Sequence, residues 1–244
     1  PTTEPTTEPT TEPTTEPTTK PTTPPNVEID PLEEYVNSMT LEERVGQLFL
    51  ARCPDRNAAE DAAKYHLGGY VLFARDFKNE TKDTVTETIK DYQDHVQIPL
   101  LIAVDEEGGT VNRVSRYPAF RSEPFSSPRK LFDNGGMEAV LAAEAEKGQL
   151  LASLGINVNL APVCDITTDS RAFMYSRSLG LSPEDTATAI VAMVQTMNRH
   201  QVGSVLKHFP GYGNNTDTHV GIAVDTRSLE ELETRDLVPF AAGI

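Results

Sequence analysis

Short runs rich in apolar residues recur along the chain, unbroken in Tyr70-Val-Leu-Phe73 and Pro99-Leu-Leu-Ile-Ala-Val104 and interrupted by small or polar residues in Ile156-Asn-Val-Asn-Leu160 and Val202-Gly-Ser-Val-Leu206. Between them the apolar residues are spaced three and four apart. The runs predict strands, and Pro99–Val104 has the continuous character of a strand buried on both faces of a parallel sheet; the spaced segments predict amphipathic helices. Leu32, Tyr35, Val36 and Met39 share one helical face. Thr40 followed by Glu43 is a capping box that starts a segment, Leu41–Leu50, turning from helix into the first strand. Further helical stretches are predicted over 57–67, Lys82–Val96 and 137–154. Pro183 suits the first turn of a helix whose Ile190, Val194 and Met197 share a face. Ser228 caps a last helical segment through Leu229, Leu232 and Leu237.

Strands alternating with helices make βα units around a parallel sheet, either a barrel or an open doubly wound sheet. Polar, chemically able residues follow several of the strands, which favours a TIM-type (β/α)8 barrel, where the carboxyl ends of the strands carry the site. Five strands are visible, whereas a whole barrel takes ~250 residues of folded chain. The α/β fold is therefore expected to be truncated before its last strands.

Residues 1–25 break the rhythm. Four Pro-Thr-Thr-Glu units are followed by Pro-Thr-Thr-Lys and Pro-Thr-Thr-Pro, with no core-forming side chain. Proline at every fourth position blocks helix and sheet and favours an extended, solvated spacer. The expected organisation is a disordered linker over 1–25 and the barrel portion over 26–244, beginning near Val27. Pro/Thr spacers are typical of bacterial exported and wall-associated proteins, so an extracellular or cell-envelope location is expected, with cell-wall association through the linker.

The net charge of −16 argues against a nucleic-acid or anionic-membrane partner, both of which need clustered Lys and Arg. No apolar run approaches the roughly 20 residues that span a bilayer, and the amino terminus lacks the order of a signal peptide. Cys53 and Cys164 are too few for a disulfide framework, and Cys164 lies in the apolar run Leu160–Cys164, where it reads as a small buried hydrophobe.

The densest set of reactive side chains is Lys207-His208-Phe209-Pro210-Gly211-Tyr212-Gly213-Asn214-Asn215-Thr216-Asp217-Thr218-His219, a loop leaving the strand 202–206. An imidazole ordinarily titrates near ~6.5, and a carboxylate two residues away can fix its tautomer, so Asp217 and His219 form a candidate acid/base pair. Alone, such a pair is more often a surface hydrogen bond than a catalytic one; its place after a buried strand, together with the residues at the other strand ends, gives it the chemical reading. Lys207 and His208 add hydrogen-bond donors at the strand end. Asp105, ending the most apolar strand, can accept from vicinal hydroxyls, with Arg113 as the donor beside it. Arg177 can clamp a hydroxyl or acyl oxygen, and Asp165 reads as a loop-fixing residue. No dinucleotide fingerprint, Walker loop or His-Glu-x-x-His occurs, so no cofactor or metal is expected. Asp217, His219 and His208 lack the early His-x-His partner of barrel metallohydrolases, because His66 and His95 fall in predicted helices.

Met39–Phe49, Gly68–Arg75, Pro99–Gly109, Tyr175–Gly180, and Lys207–Gly211 through Asp217-Thr-His219 resemble, in order, the amino-terminal barrel of glycoside hydrolase family 3, in its β-N-acetylglucosaminidase branch. The resemblance implies a carbohydrate substrate, with Asp105, Arg113, Arg177, Lys207 and His208 binding N-acetylglucosamine and His219, paired with Asp217, as acid/base in retaining hydrolysis of peptidoglycan fragments or chitin-type oligosaccharides. Two departures stand out: Tyr212 occupies a position often held by histidine, and Thr110 replaces an arginine after the Gly-Gly pair. The family's nucleophilic aspartate belongs to a later strand, beyond Ile244, and the 244-residue chain is expected not to turn over substrate by itself. The alternatives are a β-glucosidase or an N-acetylglucosaminide phosphorylase of the same family, a non-catalytic wall-polysaccharide-binding module, and a metal-dependent hydrolase.

Overall fold

The computed structural model describes residues 30–244 apart from 214, 216 and 220. The repeat linker, the expected domain start near Val27, and Asn214 lie outside those residues. The chain divides into two compact units, one ending at Ser38 and one spanning Met39–Ile244. The described part of the first is the helix α1 (Pro31–Ser38), which carries the Leu32, Tyr35 and Val36 stripe.

The second unit opens with α2 (Leu41–Gly46), held by the capping box its sequence announces. The Thr40 hydroxyl accepts the Glu43 N–H at 3.2 Å, and Glu43 takes the Thr40 N–H at 2.8 Å. Then follow β1 (Leu50–Arg52), α3 (Ala58–Lys64), β2 (Gly69–Leu72), α4 (Lys82–Asp94), β3 (Leu101–Val104), α5 (Pro128–Ser153), β4 (Val158–Asn159), α6 (Pro183–Asn198) and β5 (Gly203–Ser204). The strands pair in parallel and in sequence order, β1-β2-β3-β4-β5. Right-handed crossovers that always step the same way place the helices on one face of the sheet. The order never reverses, so the switch point of an open doubly wound sheet is missing and these are successive strands of a TIM-type barrel.

Tyr70, Leu72, Ile102 and Val104 share a buried cluster with Val85 and Ile89 of α4 and with Leu151 and Leu154 at the end of α5. Each such side chain contributes about 1.5–3 kcal/mol of transfer free energy. A second cluster joins Val140, Cys164, Leu179, Ile190, Met193 and Phe240, the last from α8 (Val238–Gly243).

The structure departs from the periodicity in four places. Leu101 is 51% exposed, so β3 is fully covered only on its helix side. β4 and β5 are two residues each, shorter than predicted, and beside β4 a side chain joins the ladder: Asn157 accepts from Ile102 N at 2.7 Å and donates to Leu100 O at 3.0 Å. Pro162 then removes a donor, and pairing resumes at the Val163–Lys207 bridge. α5 begins at Pro128 rather than 137, with Ser127 as N-cap and a break at Gly135–Gly136. His66 and His95 sit just beyond the ends of α3 and α4, not within them.

Ser228 caps α7 (Leu229–Glu231) reciprocally with Glu231, and one wide turn over Leu232–Asp236, closed by Leu237 N to Leu232 O at 2.8 Å, leads into α8. Among the described residues no helix is long and apolar enough to cross a membrane.

Cys53 and Cys164 are buried and unpaired. Burial pushes both thiols up, Cys164 to about 12. Because the thiolate is the reactive form, neither cysteine is expected to react with a thiol-specific disulfide reagent at pH 8 until the chain is unfolded in guanidinium. Rapid native-state labelling, followed by absorbance, would contradict this.

Candidate active site

Asp105 is the first residue after β3, and the two acids behind it decide how its surroundings fold. Glu106 is buried and points into its own loop, accepting the N–H groups of Arg113 and Val114 at 2.8 Å each and that of Ser115 at 3.2 Å. The carboxylate thus satisfies amides that would otherwise lie unpaired and folds residues 106–115 back on the strand end. Asn159 of β4 fixes Glu106 in turn through both amide atoms, at 3.0 and 3.2 Å to its backbone. Arg113 returns to Asp105 in this way, but stops at 3.7 Å from Oδ2, an ion pair outside hydrogen-bond distance.

The closer donor to Asp105 is Lys207, whose Nζ lies 2.7 Å from Oδ1 and 2.6 Å from Oε1 of Glu107. Glu107 joins the cluster together. Its side chain is 1% exposed, and it takes a two-pronged contact from Arg177, 2.8 Å from Nε and 2.6 Å from Nη2. Burial pushes the Glu107 carboxyl up, but the Arg177 hydrogen bonds and the charges of Lys207 and Arg177 outweigh it and hold the group below the ordinary glutamate range. Nothing in the local sequence around Glu107 marks it for this role, because its partners lie far along the chain.

Arg177 also meets His208, with Nη2 3.0 Å from Nε2. On the other side of the ring, Nδ1 lies 2.8 Å from Oδ2 of Asp165. The two contacts fit one tautomer, Nδ1–H donating to Asp165 and Nε2 accepting from Arg177. Both ring nitrogens are therefore engaged within the cluster, and His208 is not the free donor its position suggested. Asp165, buried, also accepts the N–H of His208 at 3.1 Å and that of Tyr212 at 2.7 Å, the loop-fixing position expected of it.

The Arg177 loop has its own brace. Arg129, second residue of α5, donates to Tyr175 O at 2.7 Å, Thr167 O at 2.8 Å and the Ser178 hydroxyl at 3.2 Å, with its guanidinium 4.0 Å from the Tyr175 ring centre. Beneath Glu107, the buried Lys147 donates to the Glu107 carbonyl at 3.1 Å and pairs with Glu144.

Asp217 and His219 form a separate pair on the loop after β5. Asp217 Oδ1 lies 2.6 Å from His219 Nδ1 and accepts the His219 N–H at 2.9 Å. The imidazole is 83% exposed, which leaves Nε2 facing outward. The His219 backbone N–H, its ring and, more weakly, the Arg177 charge hold Asp217 below the ordinary aspartate range. The Tyr212 hydroxyl meets that of Thr218, between Asp217 and His219 in sequence, at 2.7 Å, and the Tyr212 ring stands edge-on to His208 with the ring centres 5.4 Å apart. Asp105, Arg113, Arg177, Lys207 and His208 thus form one connected cluster, and Asp217 with His219 a second.

Fold and cluster define a parallel α/β barrel protein with a charged, polar site at the carboxyl ends of its strands. The family model described as the glycosyl hydrolase family 3 N terminal domain matches residues 40–244, and the chain belongs to that family. It is 38% identical over 188 residues to a beta-hexosaminidase of Xylella fastidiosa (strain M23) and 39% identical over 188 residues to one of Xanthomonas axonopodis pv. citri (strain 306). Each match covers 73% of this chain and 53% of the relative, so the chain spans about half the length of these curated relatives. Among solved structures, a family 3 beta-N-acetylglucosaminidase of Paenibacillus sp. aligns with TM-score 0.76 and 28% identity, over 85% of this chain and 40% of that one. NagZ of Neisseria gonorrhoeae, in complex with N-trifluoroacetyl-D-glucosamine, aligns with TM-score 0.66 and 28% identity, over 80% and 58%.

Proposed function

We propose that the protein carrying this chain is a retaining glycoside hydrolase that removes terminal β-linked N-acetylglucosamine. One observation carries the reading: an outward-facing imidazole, oriented by a carboxylate, follows Thr218, whose hydroxyl meets Tyr212, and Tyr212 stands beside His208 in a cluster of three carboxylates and three cations at the strand ends. Asp105 accepts sugar hydroxyls, and Lys207, Arg113 and the outer edge of Arg177 donate to hydroxyl and acyl oxygens. His219 gives its Nε2 proton to the departing oxygen as the glycosidic bond breaks, then takes a proton from the water that releases the sugar. Asp217 accepts the Nδ1 proton throughout, so that Nε2 is the atom that gives the proton and takes it back. The nucleophilic carboxylate is the one that the family motif places on a later strand.

The natural substrates are peptidoglycan fragments or chitin-type oligosaccharides, and the location is extracellular or at the cell envelope; the Pro/Thr spacer of residues 1–25 supports both. In the whole protein, 4-nitrophenyl N-acetyl-β-glucosaminide is expected to be hydrolysed at a rate independent of phosphate, with the corresponding glucoside at least about 10²-fold slower, since a site built to hydrogen-bond a polar group rejects the analogue that lacks it. Equal rates on the two glycosides, or release that requires phosphate, would replace this reading.

A further inference from the structure

Behind the Asp217–His219 loop lies a second charged group that neither the cluster nor the acid/base pair uses. Arg227 is inserted under the start of the loop. Its Nη1 lies 2.8 Å from Oδ2 of Asp236, and its Nη2 donates to Gly211 O at 2.5 Å. Asp225 holds the guanidinium from a third side, with Oδ1 2.9 Å from Nε. Asp236 is buried at the end of the wide helical turn Leu232–Asp236. The contact with Nη1 is close but poorly aligned, and among the described residues neither Asp236 oxygen has a hydrogen bond; Arg227 is the nearer of the two cations that compensate its charge, with Arg235 Nη1 at 3.9 Å.

Two glycines let these side chains approach. Gly211 and Gly213 have φ of +113° and +56°, where other residues are strained, and a Cβ on Gly211 would stand 2.9 Å from the Asp236 Cβ, one on Gly213 2.8 Å from the Arg227 guanidinium carbon. The peptide unit between Gly211 and Tyr212 is consequently held at both ends, its oxygen by Arg227 and its N–H by Asp165, the same carboxylate that orients His208. The segment leading to Asp217 and His219 therefore leaves the cluster from a peptide clamped between the sugar-binding groups and the Arg227–Asp236 pair.

We infer that Arg227, backed by Asp236, is a positioning residue for proton transfer: it sets where the loop delivers the His219 imidazole, without touching substrate. The inference rests on the proposed function, in which His219 protonates the leaving oxygen. Proton transfer tolerates little misplacement, whereas Asp105 and Lys207 lie before the clamped Gly211–Tyr212 peptide and are held to one another directly, Nζ 2.7 Å from Oδ1. The loss on disturbing Arg227 is therefore confined to reactions that need the proton.

The test compares leaving groups in the whole protein. A 2,4-dinitrophenyl glycoside departs as a stable anion without protonation; a methyl glycoside departs only with it. Arg227→Met is expected to lower kcat/KM about 10²-fold on the methyl N-acetyl-β-glucosaminide and no more than roughly threefold on the dinitrophenyl one, with KM little changed. Arg227→Lys keeps the charge but cannot bridge Gly211 and Asp236 together, so it shows the same selectivity and serves if the methionine variant does not fold, as checked by circular dichroism. An equal loss on both substrates, or none on either, would overturn the inference. His219→Ala is the control. If it too lacks leaving-group selectivity, the acid/base assignment fails; if it shows the selectivity and the Arg227 variants do not, only the positioning role fails.

Discussion

Glu107→Ala is expected to destabilise the barrel and to abolish sugar binding together. The side chain is almost wholly buried and is the shared partner of Arg177 and Lys207. Removing it leaves Arg177 buried beside the Lys207 ammonium with no carboxylate to take its fork, and breaking a buried pair in this way costs about 3–5 kcal/mol. Denaturant titration reads that loss directly. Glu107→Gln keeps the shape and one acceptor but not the charge, so a smaller loss is expected, with the Arg177 guanidinium free to rotate away from His208. The same group gives a pH dependence of definite sign. Because its folded pKa lies below the ordinary value, its contribution is complete above the unfolded glutamate pKa and is lost as pH falls through the lower folded value. Wild type is therefore expected to lose stability on acidification more steeply than Glu107→Gln, and parallel pH–stability curves for the two would contradict this.

His219→Ala is expected to leave the fold and KM nearly unchanged and to lower kcat by about 10³-fold on substrates with poor leaving groups, the middle of the range for general acid–base catalysis. The side chain is the most exposed of the site residues and packs on nothing in the core, so its removal is a chemical change and not a structural one. An unchanged thermal midpoint with collapsed turnover is the expected signature. Asp217→Asn follows it more mildly, since the ring remains but its orienting partner no longer carries charge. A His219→Ala protein that retained full turnover would remove this residue from the chemistry.

Much of the fold is legible in the sequence. The alternation of apolar runs with spaced stripes placed every strand and the helices between them, since burial on one face imposes that periodicity directly. Thr40, Ser228 and Pro183 marked their helix starts for local reasons that tertiary contacts did not override. Asp105, Lys207 and Asp165 were visible because each follows a run that can only be a strand or its end.

What escaped depended on partners distant in sequence. Glu107 looked like one of two acids in a loop, and its role comes from Arg177 and Lys207, 70 and 100 positions away. His208 counted as a donor until its two ring nitrogens were found facing Asp165 and Arg177. The early start of α5 has a signal, Pro128 in its first turn, of the same kind as the Pro183 that marks the start of α6. It was lost because Gly135–Gly136 interrupts the stripe.

Within the strand-end cluster, Asp105, Glu107 and Asp165 match Arg113, Arg177 and Lys207 in number, and they are set in a chain whose net charge is −16. A neutral sugar approaching such a site is neither drawn in nor repelled by the surface field, and the buried pairs lie where mobile ions do not screen them. Binding of a neutral sugar there is thereby expected to change little with ionic strength, despite the acidity of the chain around it.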